Sequence, residues 1–149
     1  MEKSITTDTT SNGFNAYKEG LKYDSKSKHQ EAVESFNLAI QYGYTNIDVF
    51  LRLGTSRQFL HQHELAIKRF NTFIAHRPED CYPLFLRSVS KNKISDFKGA
   101  IIDIQKAIIL SLVDNGANQE YSEVALRLGF GTITKLYEAY LKNYRTNMG

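Results

Sequence analysis

The chain has 149 residues, of which 42% are hydrophobic and 12% aromatic, so its length and composition predict one domain with a packed core. Its formal charge is +3, from 19 Lys and Arg against 16 Asp and Glu. No basic block appears, which argues against a nucleic-acid partner. The one cysteine, Cys81, excludes an internal disulfide and a thiolate metal cluster.

Neither a leader sequence nor a membrane span is indicated. The segment Met1–Asn12 is rich in Ser and Thr and has no apolar run, so we expect a flexible tail over residues 1–12 and no signal peptide. The longest apolar stretch, Ala107–Val113, is too short to cross a bilayer. A cytoplasmic protein is the simplest interpretation.

The spacing of apolar residues predicts helices that follow one another in pairs. The two prolines, Pro78 and Pro83, leave long stretches free to be helical, and Pro83 suits a first helical turn. Asn46 and Asp96 are each placed to cap a following helix. The predicted pairs are 13–26 with 29–44, 47–60 with 64–76, and 81–93 with 97–112.

A fixed period runs through most of the chain. It is marked by three equally spaced alanines, by a large apolar residue four positions after each, and by a small residue twelve positions before each. A constant period with this spacing is typical of stacked helix-turn-helix units, in which small residues let two helices cross closely. In chain order these sets are Ala32, Ala66 and Ala100; Phe36, Phe70 and Ile104; and Gly20, Gly54 and Ser88.

On these residues the chain resembles the tetratricopeptide repeat (TPR) family, in three consecutive frames: 13–46, 47–80 and 81–114. The frames depart from the family pattern at Ala16, where Trp or Leu is preferred, and at Phe73, where a small residue is usual. The resemblance implies an all-α fold, a right-handed α-solenoid of three TPR units plus C-terminal capping helices.

Residues 115–149 are expected to form a degenerate fourth unit or capping helices. The run Val124–Gly129 is similar to Val49–Gly54 but lies further along the chain than two full periods would place it, which indicates a seven-residue insertion. The loop is expected at Asn115–Asn118, and an amphipathic helix at Thr132–Tyr144. A repeat protein needs such a terminal element to cover its last apolar face.

Other motifs give little support to metal or nucleotide chemistry. His61 and His63, with Glu64, fall in the turn within the second unit, where packing or surface roles are more common than metal binding. Gly129-x-Gly131 lacks the third glycine and the preceding strand of a nucleotide loop, so it indicates a helix break. We therefore predict no metal, no cofactor and no enzyme activity.

The resemblance also implies which residues bind a partner, because TPR proteins line a concave groove with the first helix of each unit. The groove positions also include Phe14, Ser25, Phe59 and Lys93. Aromatic and aliphatic side chains flanked by polar ones suit an apolar peptide with a few polar anchors. The predicted peptide-binding residues are Tyr17, Leu21, Asp24, Leu51, Arg52, Thr55, Gln58, Tyr82, Phe85, Leu86, Val89, Asn92 and Arg127.

Arg52 is the one basic residue at the positions that, in one TPR subclass, clamp the terminal carboxylate of heat-shock chaperones. This departure argues against binding of that kind. Arg127 repeats Arg52 in the displaced fourth unit, so both guanidinium groups could face an acidic group of a bound peptide. The equal alternative is that both pair with acidic residues on adjacent helices.

The sequence therefore predicts a non-catalytic protein–protein interaction module that binds a peptide or protein segment in the TPR groove. A second hypothesis is a dedicated chaperone for an apolar partner segment. It rests on the run Phe50–Gln58, which is similar to the matching stretch of bacterial type III secretion chaperones that hold translocators. The partner's identity and self-association both stay open.

Overall fold

Helices and short turns alternate along the chain in the computed structural model, which describes residues 3–112 and 130–148. The described residues contain seven α-helices and no strand. The helices are α1 Lys3–Ser25, α2 His29–Gln41, α3 Asp48–Phe59, α4 His63–His76, α5 Cys81–Lys93, α6 Phe97–Leu112 and α7 Phe130–Met148.

The turn inside each helix pair has the same conformation in all three repeats. Ser27, His61 and Ser95 occupy the same position of successive repeats and have φ angles of 57°, 57° and 67°. Each is the left-handed residue of a Schellman motif, in which its own N–H and that of the following residue close the preceding helix. In the second turn, for example, the His61 N–H donates to the Gln58 carbonyl and the Gln62 N–H to the Arg57 carbonyl. His61 is therefore a turn residue by its backbone.

Two of the predicted caps hold the starts of helices. The Asp96 carboxylate accepts a hydrogen bond from the Gly99 backbone N–H at 3.0 Å, which satisfies a donor in the first turn of α6. Asn46 Oδ1 accepts one from the Asp48 N–H, also at 3.0 Å, where α3 begins. Pro83 lies in the first turn of α5, where its missing N–H costs no helical bond.

The chain divides into two compact units, Met1–Arg69 and Phe70–Gly149. The first unit packs α1, α2 and α3 around one apolar core. Gly20 lies at a close approach in it, since a Cβ at that position would stand 2.5 Å from the Phe36 ring. The buried members of this core are Ala16, Ala32, Val33, Phe36, Ala39, Val49 and Leu53.

In the second unit α7 packs against α6 and α5. Tyr140 of α7 is 2% exposed and joins Ala100 and Ile104 of α6 in a buried cluster. Leu136 and Tyr137, one turn earlier, pack against the same cluster. The amphipathic helix that the sequence predicts near the C-terminus is therefore present, and it covers the apolar face of α6.

Two predicted helix ends differ from the structure. The first helix begins at Lys3 and not near Gly13, so residues 3–12 are helical where a flexible tail is expected. Extending a formed helix needs no new nucleus, and no proline or glycine interrupts this stretch. The second helix ends at Gln41, not at Tyr44, because Gly43 with φ of 79° stops it. Asn115–Asn118 and Val124–Gly129 lie outside the described residues.

Candidate peptide-binding surface

Three aromatic side chains form a row on one surface of the first unit. Phe14 and Tyr17 come from α1, and Tyr44 comes from the turn between α2 and α3. The ring centroids of Tyr17 and Tyr44 are 4.7 Å apart, and those of Phe14 and Tyr44 are 6.4 Å apart, both in stacked orientation. Phe14 is 49% exposed. The Lys18 ammonium lies 4.8 Å from its ring centroid, a cation–π contact.

Arg52 of α3 borders this aromatic row. Its guanidinium on α3 is close enough to the Tyr17 hydroxyl on α1 to affect the pKa of that phenol. Burial raises the pKa of Tyr17, while the charge and hydrogen bond of Arg52 oppose the rise. The Tyr17 phenol is neutral, and a neutral phenol does not neutralise the charge of a guanidinium. The side chain is half-buried, so part of it is accessible.

The Tyr44 phenol lies next to the Asn46 side chain. Burial raises the pKa of the Tyr44 phenol, and a hydrogen bond from the Asn46 side chain opposes this shift. Tyr44 is not among the binding residues that the sequence predicts. Its position in the turn after α2 is the signal that could have found it, since that turn leads directly to the Arg52 helix.

The other predicted residues of the first unit have mixed environments. Leu51 is 3% exposed, so its prediction as a groove residue needs correction: its side chain lies in the interior. Leu21 packs against the core of the unit. Asp24 Oδ1 lies 3.5 Å from His29 Nδ1 and 3.5 Å from Ser56 Oγ, a polar cluster in which the carboxylate is 21% exposed. Thr55 donates to the Arg52 carbonyl, and Gln58 is half-buried.

Phe59, at the end of α3, is the most exposed aromatic residue of this unit, at 65%. Its ring stacks on that of His29, with centroids 4.4 Å apart and an interplanar angle of 7°. The pair connects the start of α2 to the end of α3. It adds an apolar surface to the groove positions of the second frame.

In the second unit, the predicted residues on α5 are partly covered by α7. Asn92 Oδ1 accepts a hydrogen bond from the Asn143 amide of α7 at 3.1 Å. Phe85 packs against the cluster around Tyr140 and stacks with Tyr82 at 6.4 Å. Leu86 is 8% exposed and is the second groove residue that must be corrected to an interior one.

Val89 is half-buried on α5, and Arg127 lies outside the described residues. In the described part of the chain, no three His, Cys, Asp or Glu side chains are placed together to hold a metal ion. None of the helices there is both long and apolar enough to span a membrane.

Known structures share this fold. The Sgt2 TPR domain from Aspergillus fumigatus matches at a TM-score of 0.68 and 15% identity, covering 92% of this chain and 82% of that one. The protein has a TPR fold. The predicted all-α helical repeat is thereby confirmed. No family model and no curated protein matches the sequence.

Two further solved structures are similar at higher TM-scores. A T3SS complex from Aeromonas hydrophila matches at 0.74 and 21% identity, covering 94% of this chain and 86% of that one. PcrH in complex with the chaperone binding region of PopD matches at 0.72 and 18% identity, covering 87% and 91%.

Proposed function

We propose that the protein is a non-catalytic protein–protein interaction module of the cytoplasm that binds a peptide or protein segment. The observation that carries this proposal is the aromatic row of Phe14, Tyr17 and Tyr44 with Arg52 beside it. Rings supply apolar contact area at low entropy cost, and the guanidinium supplies a bidentate anchor for a carboxylate. These are the features of a recognition surface for an apolar segment with an acidic group.

The solved structures support this proposal through what they contain. PcrH is seen with the chaperone binding region of PopD, and the TPR2B domain of yeast Sti1 is seen with a pHsp70 partner. Both are TPR-fold proteins that hold another chain. We propose the same general role here, with a partner whose sequence stays open.

The second candidate is a dedicated chaperone for one apolar partner segment. It is favoured by the TM-scores of 0.72 and 0.74 to PcrH and to the T3SS complex. Co-expression separates the two functions, since a chaperone's partner becomes insoluble when this chain is omitted. A partner that stays soluble alone favours the interaction module.

The test of the binding surface uses a short peptide selected from a phage-displayed random library on the purified protein. Arg52→Ala should weaken binding of the synthetic peptide by about 1.5–3 kcal/mol, the usual range for a hydrogen bond to a charged group. Isothermal titration calorimetry measures the change.

Tyr17→Phe is the matched control for this experiment. It removes the phenol hydroxyl next to Arg52 but keeps the ring and the guanidinium, so affinity should change little. Equal losses in both variants would mean that Arg52 only orients the aromatic row. Unchanged affinity in Arg52→Ala would remove this residue from the binding surface.

A further inference from the structure

The third repeat contains a buried ion-pair network that the second repeat replaces with like charges. In the second unit, Asp103 of α6 is 2% exposed and binds two cations of α5. Arg87 donates two hydrogen bonds to its carboxylate, each at 2.7 Å. Lys91 Nζ lies 2.9 Å from Asp103 Oδ2. The buried carboxylate is therefore compensated by charges inside the fold.

The equivalent positions of the second repeat, one period earlier, hold Leu53, Arg57 and Arg69. Arg57 corresponds to Lys91, and Arg69 corresponds to Asp103. The second repeat thus keeps a basic residue, Arg57, on its first helix. On its second helix it has the basic Arg69 at the position that corresponds to the acidic Asp103. Both arginines belong to the first unit.

The Arg57 guanidinium is held in place but is incompletely bonded. Its Nη1 donates to the Gln62 side-chain oxygen at 2.6 Å, in the turn between α3 and α4. Its Nε is buried and donates to no acceptor in the described residues. A buried N–H without an acceptor costs free energy, so this donor favours any anion that reaches it.

Arg69 is close enough to Arg57 for the two charges to act on each other. Burial, and then the positive charge of Arg57, lower the pKa of the Arg69 guanidinium. Two partly desolvated like charges are unfavourable for folding, and such arrangements are concentrated at functional sites. Both side chains are half-buried, which leaves them within reach of a ligand.

We infer that Arg57 and Arg69 form a binding site for a carboxylate of a partner segment, which supplies the negative charge that Asp103 supplies in the third repeat. This inference rests on the proposed function and names one chemical feature of the partner, an Asp or Glu side chain. The planar guanidinium fork matches a carboxylate through two parallel hydrogen bonds. The site is separate from the aromatic row and gives the partner a second, acidic anchor.

Arg69→Asp tests the inference by placing a carboxylate within the protein itself, at the position that corresponds to Asp103 of the third repeat. Its carboxylate should pair with Arg57 and raise the thermal midpoint by about 2–4 °C, the shift expected for a small gain in a protein of this size. Lys106→Asp, an exposed site on α6 with the same change of charge, is the control and should not raise it. An equal or lower midpoint in Arg69→Asp would overturn the inference.

A dicarboxylate probe tests the site in the unmodified protein. Sodium glutarate should raise the wild-type midpoint by about 2–4 °C relative to sodium chloride of equal ionic strength, because it binds the folded state. The Arg69→Asp variant should lose this rise, and Lys106→Asp should keep it. A rise of the same size in both wild type and Arg69→Asp is a general salt effect and contradicts the inference. Protection by sulfate but not by glutarate means an inorganic-anion site, which also contradicts it.

The selected peptide then links this site to the partner. Replacing the peptide's acidic residues by their amides should weaken binding to the wild type about tenfold or more and to Arg69→Asp by a smaller factor. Equal losses in both proteins would overturn the inference while leaving the interaction module intact. If glutarate protects and no peptide binds, the proposed function fails instead.

Discussion

At the scale of single residues, small side chains set how closely helices approach. Ala32, Ala66 and Ala100 are each 0% exposed, as expected of residues at a helix crossing. Gly20 gives the most direct evidence, since a methyl group there would overlap the ring of buried Phe36. Interiors are packed like organic crystals, so an added side chain has no free volume to occupy. The small residues therefore recur at a fixed period because the helices approach closely at those positions.

Ala66→Leu should lower the free energy of unfolding by about 1–3 kcal/mol, because the added carbons overpack a fully buried position. Urea denaturation followed by circular dichroism measures the change. Ala75→Leu, on an exposed position of the same helix, is the control and should have little effect. An unchanged midpoint for Ala66→Leu would show that Ala66 does not lie at a close crossing.

At the scale of elements, α7 completes the second unit by polar as well as apolar contacts. The Gln105 amide of α6 donates to the Tyr137 hydroxyl at 3.1 Å. The Ser88 and Tyr140 hydroxyls lie 3.4 Å apart inside the unit. Because Ser88 occupies the small-residue position of its repeat, the phenol of α7 fits where α5 offers least bulk. A terminal helix thereby closes an apolar face that would otherwise contact water.

Burial raises the pKa of Tyr140, with the Ser88 hydrogen bond opposing, and this makes stability depend on pH in one direction. Below about pH 10 the phenol is neutral in both folded and unfolded chains and contributes no pH dependence. Above that pH the unfolded chain loses the proton first, so the folded state is destabilised as pH rises.

The expected result is that the free energy of unfolding falls more in the wild type than in Tyr140→Phe between about pH 9 and 11. Urea midpoints at several pH values measure this difference. Tyr144→Phe, on the same helix but outside the buried cluster, should behave like the wild type. Parallel pH profiles for wild type and Tyr140→Phe would contradict the burial of this phenol.

At the scale of the whole molecule, all described elements are helical and the repeat is the organising unit. Each repeat supplies a helix pair with a Schellman turn, and each of the two units has its own core cluster. Contacts within one repeat join residues that are close in the sequence, so no long loop must close before they form. All elements in the described ranges are helices, as this repeat organisation requires.

Far-ultraviolet circular dichroism should therefore report at least about 65% helix and no strand, in line with the helices described here. The measurement uses the full chain at neutral pH. A substantial strand signal would contradict the fold. The same spectra provide the baseline for the urea experiments on Ala66 and Tyr140.

Much of the fold was predictable because its signals are local. The helix at 81–93 and the cap at Asp96 follow from proline, carboxylate and apolar spacing within a few residues. The site was less predictable. Leu51 and Leu86 occupy groove positions of the family pattern, but their burial depends on what packs over them. A repeat position predicts which face of the helix carries a side chain. It does not predict which neighbouring residues cover that side chain.

The sequence by itself determined the fold class, the order of the helices and the turn that joins each pair, since these depend on spacing within one repeat unit. Tertiary structure alone decided which side chains meet. Arg52 of α3 lies near Tyr17 of α1, and Asn92 of α5 accepts a hydrogen bond from Asn143 of α7. The tertiary structure also brings Arg57 close to Arg69, at the positions that correspond to the Lys91–Asp103 ion pair of the third repeat. Such contacts arise from packing between distant segments, and no local pattern encodes the choice of partner.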